Sequence, residues 1–263
     1  MIYKNIGILN VNVAENIESA HFFTTRFGGV SRGEYGSLNT SFTVGDEKEN
    51  VMENLTRIAN AAGYELADIV CSNQTHSTAC KRVDRSDKGV GVFREKFSES
   101  ADALITNDES VLLLVRSADC TPILLWSSDG TCAGAIHSGW KGTLENIIYH
   151  TVREMVSSYG INAQSIRAAI GPCISKQSFE VGEEVAELFK KKGYGEYVDY
   201  SFEKPHIDLV EICKKQLFDE GITNIDVSNE CTKINNNKYF SHRAQGAKRG
   251  LLCAVIGLRR IFK

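Results

Sequence analysis

Cys120 and His137 are placed where two soft ligand atoms can meet. Cys120 stands directly before the apolar run 121–126, and His137 stands directly after the apolar run 131–136. Between the runs lies Ser127-Ser128-Asp129-Gly130, a turn signal, so the two runs read as a β-hairpin. The open end of that hairpin brings positions 120 and 137 together, because opposed residues of an antiparallel pair have Cα atoms about 4.5–5.5 Å apart. Gly139 and Gly142 follow and let the backbone approach a ligand closely. His76, in Gln74-Thr75-His76-Ser77, is a third candidate.

A thiolate and two imidazoles form a good zinc set, and three protein ligands leave a fourth position for water or substrate. The same set occurs in copper electron-transfer sites with a weak axial Met. Only Met1, Met52 and Met155 exist, none beside these segments, so zinc ranks above such copper. The spacings match no dense metal-ligand motif, and each histidine on its own also reads as an ordinary hydrogen-bonded residue at a strand end.

Other chemistries remain open. Cys120 with His137 or His76 reads as a cysteine hydrolase dyad in which the thiolate attacks an acyl or amide centre. A closed four-ligand site would instead suit a metal-stabilised, non-enzymatic interaction domain. Cys173, in Gly171-Pro172-Cys173, is a reserve ligand or nucleophile, though a buried thiol is the simpler reading. Reduction of oxygen by several coppers needs many histidines, and the chain has six (His21, His76, His137, His150, His206, His242) with no H-x-H pair.

The elements that must position these residues are legible. Runs 20–25 and 111–115 read as strands, the second continuously apolar as in a strand buried on both faces. Runs 166–170 and 251–258 read as further strands. Residues 47–62 place Val51, Leu55, Ile58 and Ala62 on one helical face, with Gly63 as the stop. Residues 144–159 form a second amphipathic helix with Thr143 as N-cap and Gly160 as stop, and 208–220 a third. Interleaved helices and strands with a hairpin point to mixed sheets covered by helices.

The chain has 263 residues, 42% hydrophobic and 24% charged, which suffices for a large core. Three prolines and no linker composition favour a single domain over 1–263. A net charge of -3 gives no footprint for nucleic acid, so Lys248, Arg249, Arg259 and Arg260 read as a solvated surface. No apolar run suggests a membrane span and no secretory signal is visible, so a cytoplasmic location is expected. Eight cysteines without a C-x-x-C pair read mostly as small buried hydrophobes rather than disulfides.

Eight segments together resemble a known family. They are Thr24 with the following T-R-F-G-G-V-S through Ser31, Ser37-Leu38-Asn39-Thr40, Gln74-Thr75-His76, Ala101-Asp102-Ala103-Leu104-Ile105-Thr106, Ala118-Asp119-Cys120-Thr121-Pro122, Ala135-Ile136-His137-Ser138-Gly139-Trp140, Ile170-Gly171-Pro172-Cys173-Ile174 and Ser241-His242-Arg243. The sequence resembles the laccase-domain family of purine nucleoside phosphorylases, long labelled multicopper polyphenol oxidases. Bacterial members are also described as peptidoglycan-editing factors. The resemblance implies an α+β fold, layered α/β/β/α with mixed sheets, and a metal on His76, Cys120 and His137. It implies phosphorolysis of adenosine, inosine and S-methyl-5′-thioadenosine to base and ribose 1-phosphate, with adenosine deamination, so the expected partners are purine nucleosides and phosphate. A cysteine-type amidase acting on peptidoglycan precursors and a copper-dependent phenol oxidase are the alternatives, with Cu2+ as a substitute for Zn2+.

Within that resemblance, roles follow from chemistry. Deamination by a metal-activated water needs a carboxylate to move protons, and Asp119 beside Cys120 is the candidate. A place across the strand from Cys120 would count against it. Phosphorolysis needs cations for phosphate, which the planar arginine fork suits. Arg26, Arg243 and Lys141 lie in or beside motif segments, and Asn39 offers hydrogen bonds to a ribose hydroxyl or base edge.

Overall fold

A computed structural model describes residues 1–260. The elements run in the order β1 (Ile2–Ile6), β2 (Leu9–Val13), β3 (Ser19–Thr24), α1 (Lys48–Ala61), β4 (Ile69–Cys71), β5 (Cys80–Arg82), β6 (Ala103–Thr106), β7 (Leu112–Ser117), β8 (Thr121–Ser127), β9 (Ala133–Ser138), α2 (Trp140–Leu144), α3 (Ile147–Tyr159), β10 (Ile166–Ile170), α4 (Glu183–Lys191), β11 (Val198–Asp199), β12 (His206–Ile207), α5 (Leu209–Asp219), β13 (Asn224–Val227), α6 (His242–Gln245) and β14 (Leu252–Arg260). Two six-stranded sheets result, ordered β1-β2-β3-β14-β7-β4 and β13-β10-β8-β9-β6-β5. Both are mixed: β4 with β7, β5 with β6 and β10 with β13 are parallel, and the other pairs are antiparallel.

The apolar strands are continuous in sequence because each sheet is buried on both faces. Successive side chains of a strand point to opposite faces. In β7, Leu112 and Leu114 join a core with Val51, Leu55 and Ile58 of α1, while Leu113 and Val115 face the other sheet. In β8, Leu124 and Trp126 fill the space between the sheets, and Ile123 and Leu125 pack on Ile148 and Val152 of α3 and Leu217 of α5. Three apolar layers therefore separate four layers of structure: α1, first sheet, second sheet, then α3 with α5. This is the expected α/β/β/α stack.

One helix boundary differs from expectation. The segment 144–159 is not one helix capped by Thr143. Asn146 adopts a left-handed conformation (φ 56) and caps α3 by accepting a hydrogen bond from the Tyr149 amide at 3.1 Å. Asparagine competes with helical hydrogen bonds and tolerates positive φ, so it starts a new helix rather than continuing one. Thr143 lies inside α2, where its hydroxyl meets that of Ser138 at 2.8 Å. The short α2 thus docks onto the end of β9, beside His137.

Two connections matter for the site. The three residues Ala118, Asp119 and Cys120 carry the chain from β7 in the first sheet to β8 in the second. The loop between β4 and β5 makes the same kind of crossing and contains His76. All eight cysteines are free. Among the described residues, no helix is long and apolar enough to cross a membrane.

Candidate metal centre

The hairpin of β8 and β9 forms, but its register places Pro122 rather than Cys120 opposite His137, and Thr121 opposite Ser138. Cys120 therefore leaves the hairpin at its open end, one diagonal step from His137. Its approach is completed by the tight inter-sheet connection, in which Asp119 takes φ 90. His76 reaches the same point from the other crossing loop with φ 63, a left-handed conformation that histidine adopts more readily than most residues. Two non-glycine residues held at positive φ within one site mark local strain that the surroundings must hold in place.

The side chains converge. Ligand atoms of His76, Cys120 and His137 all lie within 4.8 Å of one another. Cys120 Sγ is 3.8 Å from His76 Nε2, and the two imidazole rings meet edge to face at 5.0 Å between centroids. A tetrahedral ion with bonds of about 2.3 Å to sulfur and about 2.0–2.1 Å to nitrogen holds those atoms about 3.6 Å apart, close to the observed separation. Among the described residues, no further histidine, cysteine or carboxylate joins this cluster. His137 is buried, Cys120 partly so, and His76 is exposed, so the triad opens outward on the His76 side.

Gly139 shows how tightly the cluster is packed. A β-carbon there would lie 2.5 Å from His76 Cδ2 and 3.3 Å from Cys120 Sγ. Its φ of -72 suits any residue, so the constraint is space and not backbone freedom. Gly142 differs, since a β-carbon there would meet only Ser77 O at 3.4 Å and Ile147 at 3.6 Å.

Asp102 ties the two histidines together. It is fully buried immediately before β6. One carboxylate oxygen accepts from His137 Nδ1 at 2.8 Å and from the His76 amide at 3.1 Å. The other accepts from the Thr75 amide, the Ser77 amide and the Ser77 hydroxyl at 2.8–3.0 Å. The bond to Nδ1 fixes the tautomer and turns Nε2 of His137 towards the cluster, the usual arrangement behind a metal-bound imidazole. Burial alone raises the Asp102 carboxyl, but the bonds from His137 and the loop amides outweigh it and hold it below the ordinary range. Burial likewise opposes a Cys120 thiolate, yet the charge of His137 and bonds from both histidines pull that thiol down. His137 is raised in turn by Cys120 and Asp102 against the penalty of burial. The donor set thus favours an anionic sulfur before any ion is added, which fits a thiophilic metal.

Two cavities meet at the triad. The smaller, about 220 Å³, is lined by Ser41, Gln74, Lys96, Arg116 and Arg249 with all three candidate ligands. The larger, about 540 Å³, is mostly apolar, with Trp140, Ile174, Phe179, Val181, Val185 and Leu209 around His76 and Cys120. Arg249 and Ala118 line both.

The other sequence candidates are placed unevenly. Arg243 lines the larger cavity, with its guanidinium bonded to the carbonyls of Ser178 and Glu180 and stacked over Phe179 at 5.5 Å. Asp119 lines it too, but its carboxylate is committed: it accepts from the Thr232 hydroxyl at 2.7 Å and from the Arg243 amide at 2.6 Å. Lys141 stands over Trp140 in a third depression, which His76 also lines but Cys120 and His137 do not. Arg26 and Asn39 line neither cavity that meets at the triad. Arg26 donates to the carbonyls of Gly36 and Asn236 and lies over Phe240. Asn39 is fully buried and bridges Ser41, Asp46 and the Leu251 amide, shaping the wall of the smaller cavity from behind. Cys173 is buried away from the cluster. Asp102 and Arg116 have no role assigned in the sequence, and Arg249, read there as solvated surface, is instead half-buried and lines both cavities.

Residues 20–259 match the family described as multi-copper polyphenol oxidoreductase laccase. A purine nucleoside phosphorylase from Bacteroides thetaiotaomicron is 34% identical, with 98% of this chain and 97% of that protein aligned. An adenosine deaminase, RL5, from an unknown prokaryotic organism is 32% identical over 93% of this chain and 96% of its own. Among solved structures, YlmD from Geobacillus stearothermophilus superposes with a TM-score of 0.89 at 30% identity, covering 98% of both chains.

Proposed function

This chain belongs to the multi-copper polyphenol oxidoreductase laccase family, and from that premise we propose that it is a zinc-dependent purine nucleoside enzyme. In this reading it cleaves adenosine, inosine and S-methyl-5′-thioadenosine with phosphate, releasing the base and a ribose 1-phosphate, and deaminates adenosine. Relatives named for both activities support it. The observation that carries it is the convergence of one sulfur and two imidazoles where two cavities meet. In this reading the enzyme acts in the cytoplasm.

His76, Cys120 and His137 are the residues that would hold the ion, whose bound form supplies Lewis acidity at the junction of the cavities. The rest is done by the chain itself. Asp102 keeps His137 in one tautomer and anchors the loop that carries His76. Trp140 and Phe179 give the larger cavity flat apolar surfaces against which a purine can stack, and its volume falls in the range of small-ligand sites. Arg243, edging that cavity, meets the substrate. Asp119 acts as a positioning residue that fixes the inter-sheet turn, since both its oxygens already accept protein hydrogen bonds. Arg26 and Asn39 shape the surroundings, and Lys141 lies outside the reacting volume.

A second reading has one observation in its favour. Asp102, His137 and Cys120 stand in the order of a cysteine hydrolase triad, with Asp102 on Nδ1 and the thiol beyond the ring. This would suit an amidase acting on peptidoglycan precursors. Metal content separates the two, because a stoichiometric ion on Cys120 occupies the nucleophile. The test is metal analysis of protein purified without added metal, paired with products from adenosine with and without phosphate. About one zinc per chain, with adenine and ribose 1-phosphate formed only when phosphate is present, is the expected result. Metal-free protein that yields neither adenine nor inosine would overturn the proposal. Copper in place of zinc, with phenol oxidation and no nucleoside turnover, would favour the oxidase alternative.

A further inference from the structure

Arg116 is a buried cation with no carboxylate. Its residue is 7% exposed, near the end of β7. Its guanidinium donates from Nε to the Thr40 carbonyl at 2.7 Å and from Nη2 to Cys71 Sγ at 3.3 Å. Both partners are neutral or weak, and Nη1 has no acceptor among the described residues. Burying an unpaired charge costs several kcal/mol, so buried arginines ordinarily sit against a carboxylate or a bound anion. Arg116 lines the smaller cavity beside the triad, and so do Lys96 and Arg249. None of the three forms an ion pair among the described residues, and no acidic residue lines that cavity. Arg249 adds a second incomplete donor set: Nη1 reaches only the carbonyls of Gly246 and Ala247 at 3.3 Å, and its buried Nε has no partner.

We infer that this cavity is an oxyanion subsite built for phosphate, with Arg116 as its buried anchor and Arg249 as the cation facing the triad. Three cations line this small space, and Ser41 and Thr43, whose hydroxyls bond each other at 3.1 Å and so leave one hydroxyl hydrogen unused, border it as well. The assignment deepens the proposed function and rests on it for the identity of the anion. The two cavities then divide the reaction, the larger taking the nucleoside and the smaller the phosphate, with Arg249 on their shared wall. A phosphate oxygen donates a lone pair to C1′ and forms the new C–O bond. The C1′–N9 bond breaks with its electron pair moving onto the purine, which takes up the proton the phosphate gives up. Sugar phosphate and free base are the balanced products.

The test uses the full chain in its metal-loaded form and inorganic phosphate as the probe. Phosphate binding is measured by titration calorimetry without nucleoside, and the KM for phosphate is measured in phosphorolysis. The variants are Arg249→Ala, on the cavity wall, and Arg116→Lys, which keeps a charge at the buried position. Each should weaken phosphate binding and raise the phosphate KM at least tenfold, with zinc content unchanged. Wild-type protein that binds phosphate here, lost in both variants, yet performs no phosphorolysis would sink the proposed function and keep the subsite. Phosphorolysis with a phosphate KM unmoved by both variants would overturn the subsite and leave the function standing.

Discussion

Gly139→Ala isolates the geometry of the cluster from its chemistry, because no ligand is removed. The alanine methyl would enter 2.5 Å from His76 Cδ2, where carbon atoms ordinarily stay about 3.5 Å or more apart. One side must give by about 1 Å. Gly139 is tied into the turn between β9 and α2, and its carbonyl accepts the Thr143 amide at 2.8 Å. His76, exposed on a loop, is the side that moves. A zinc–nitrogen bond tolerates about 0.2 Å of displacement, so a shift of that size removes His76 from the ion or forces a poor geometry. Disturbing the support of a metal ligand costs about 10–100-fold in affinity, equivalent to about 1.4–2.7 kcal/mol.

The assay is zinc competition against a chromogenic chelator at neutral pH, with far-UV circular dichroism to confirm the fold. Gly139→Ala should bind zinc at least tenfold more weakly than the parent. Gly142→Ala is the control, since its methyl meets only ordinary contacts at 3.4–3.6 Å, and its affinity should stay within about threefold. Parental affinity in Gly139→Ala, or an equal loss in both variants, would refute the claim that the three side chains share one ion beside this glycine.

Asp102→Asn should lower zinc affinity about 10–100-fold, because the amide can no longer accept every hydrogen bond now made by the carboxylate; unchanged affinity would show that the His137 orientation is set elsewhere. Among the eight thiols, Cys120 should be the first alkylated by iodoacetamide after chelation and should be protected by zinc, while burial pushes Cys213 and Cys253 up to about 12 and leaves them slow; mass spectrometry finding another cysteine labelled first would contradict this. His21 accepts the Ala14 amide at Nε2 and is buried, which lowers its pKa. Its depressed folded-state value means the unfolded chain binds the extra proton first, so stability is full above about 6.5 and falls as pH drops below it. Replacing His21 with Gln should flatten that part of a denaturant-midpoint profile against pH, and an unaltered slope would assign it to another group.

Mixed sheets covered by helices are legible because both central sheets are buried on two faces, which makes β7, β8 and β14 read as unbroken apolar runs; the α/β/β/α layering follows only from the family resemblance. The helix faces of α1 and α5 were equally plain. The exposed β1 was not, since its residues are mostly solvent-facing and carry no pattern that burial would impose. Nor was the break at Asn146, where one side chain competing for the backbone overrides a periodicity that runs through it.

The metal cluster was only half visible from spacing. The hairpin register explains why Cys120 and His137 come together, but His76 arrives by an independent crossing between the sheets, and no local pattern encodes which crossing loops end at the same place. The sequence carries a different signal. Asp102 interrupts Ala101-Asp102-Ala103-Leu104-Ile105, and Arg116 ends the run Val111-Leu112-Leu113-Leu114-Val115-Arg116. A charge inside an apolar strand cannot be buried without a partner, so each such residue announces a counter-charge that must be found. For Asp102 the partners are a histidine and the loop beneath another. For Arg116 the chain supplies no carboxylate among the described residues, and that missing partner is what points beyond the protein to an anion.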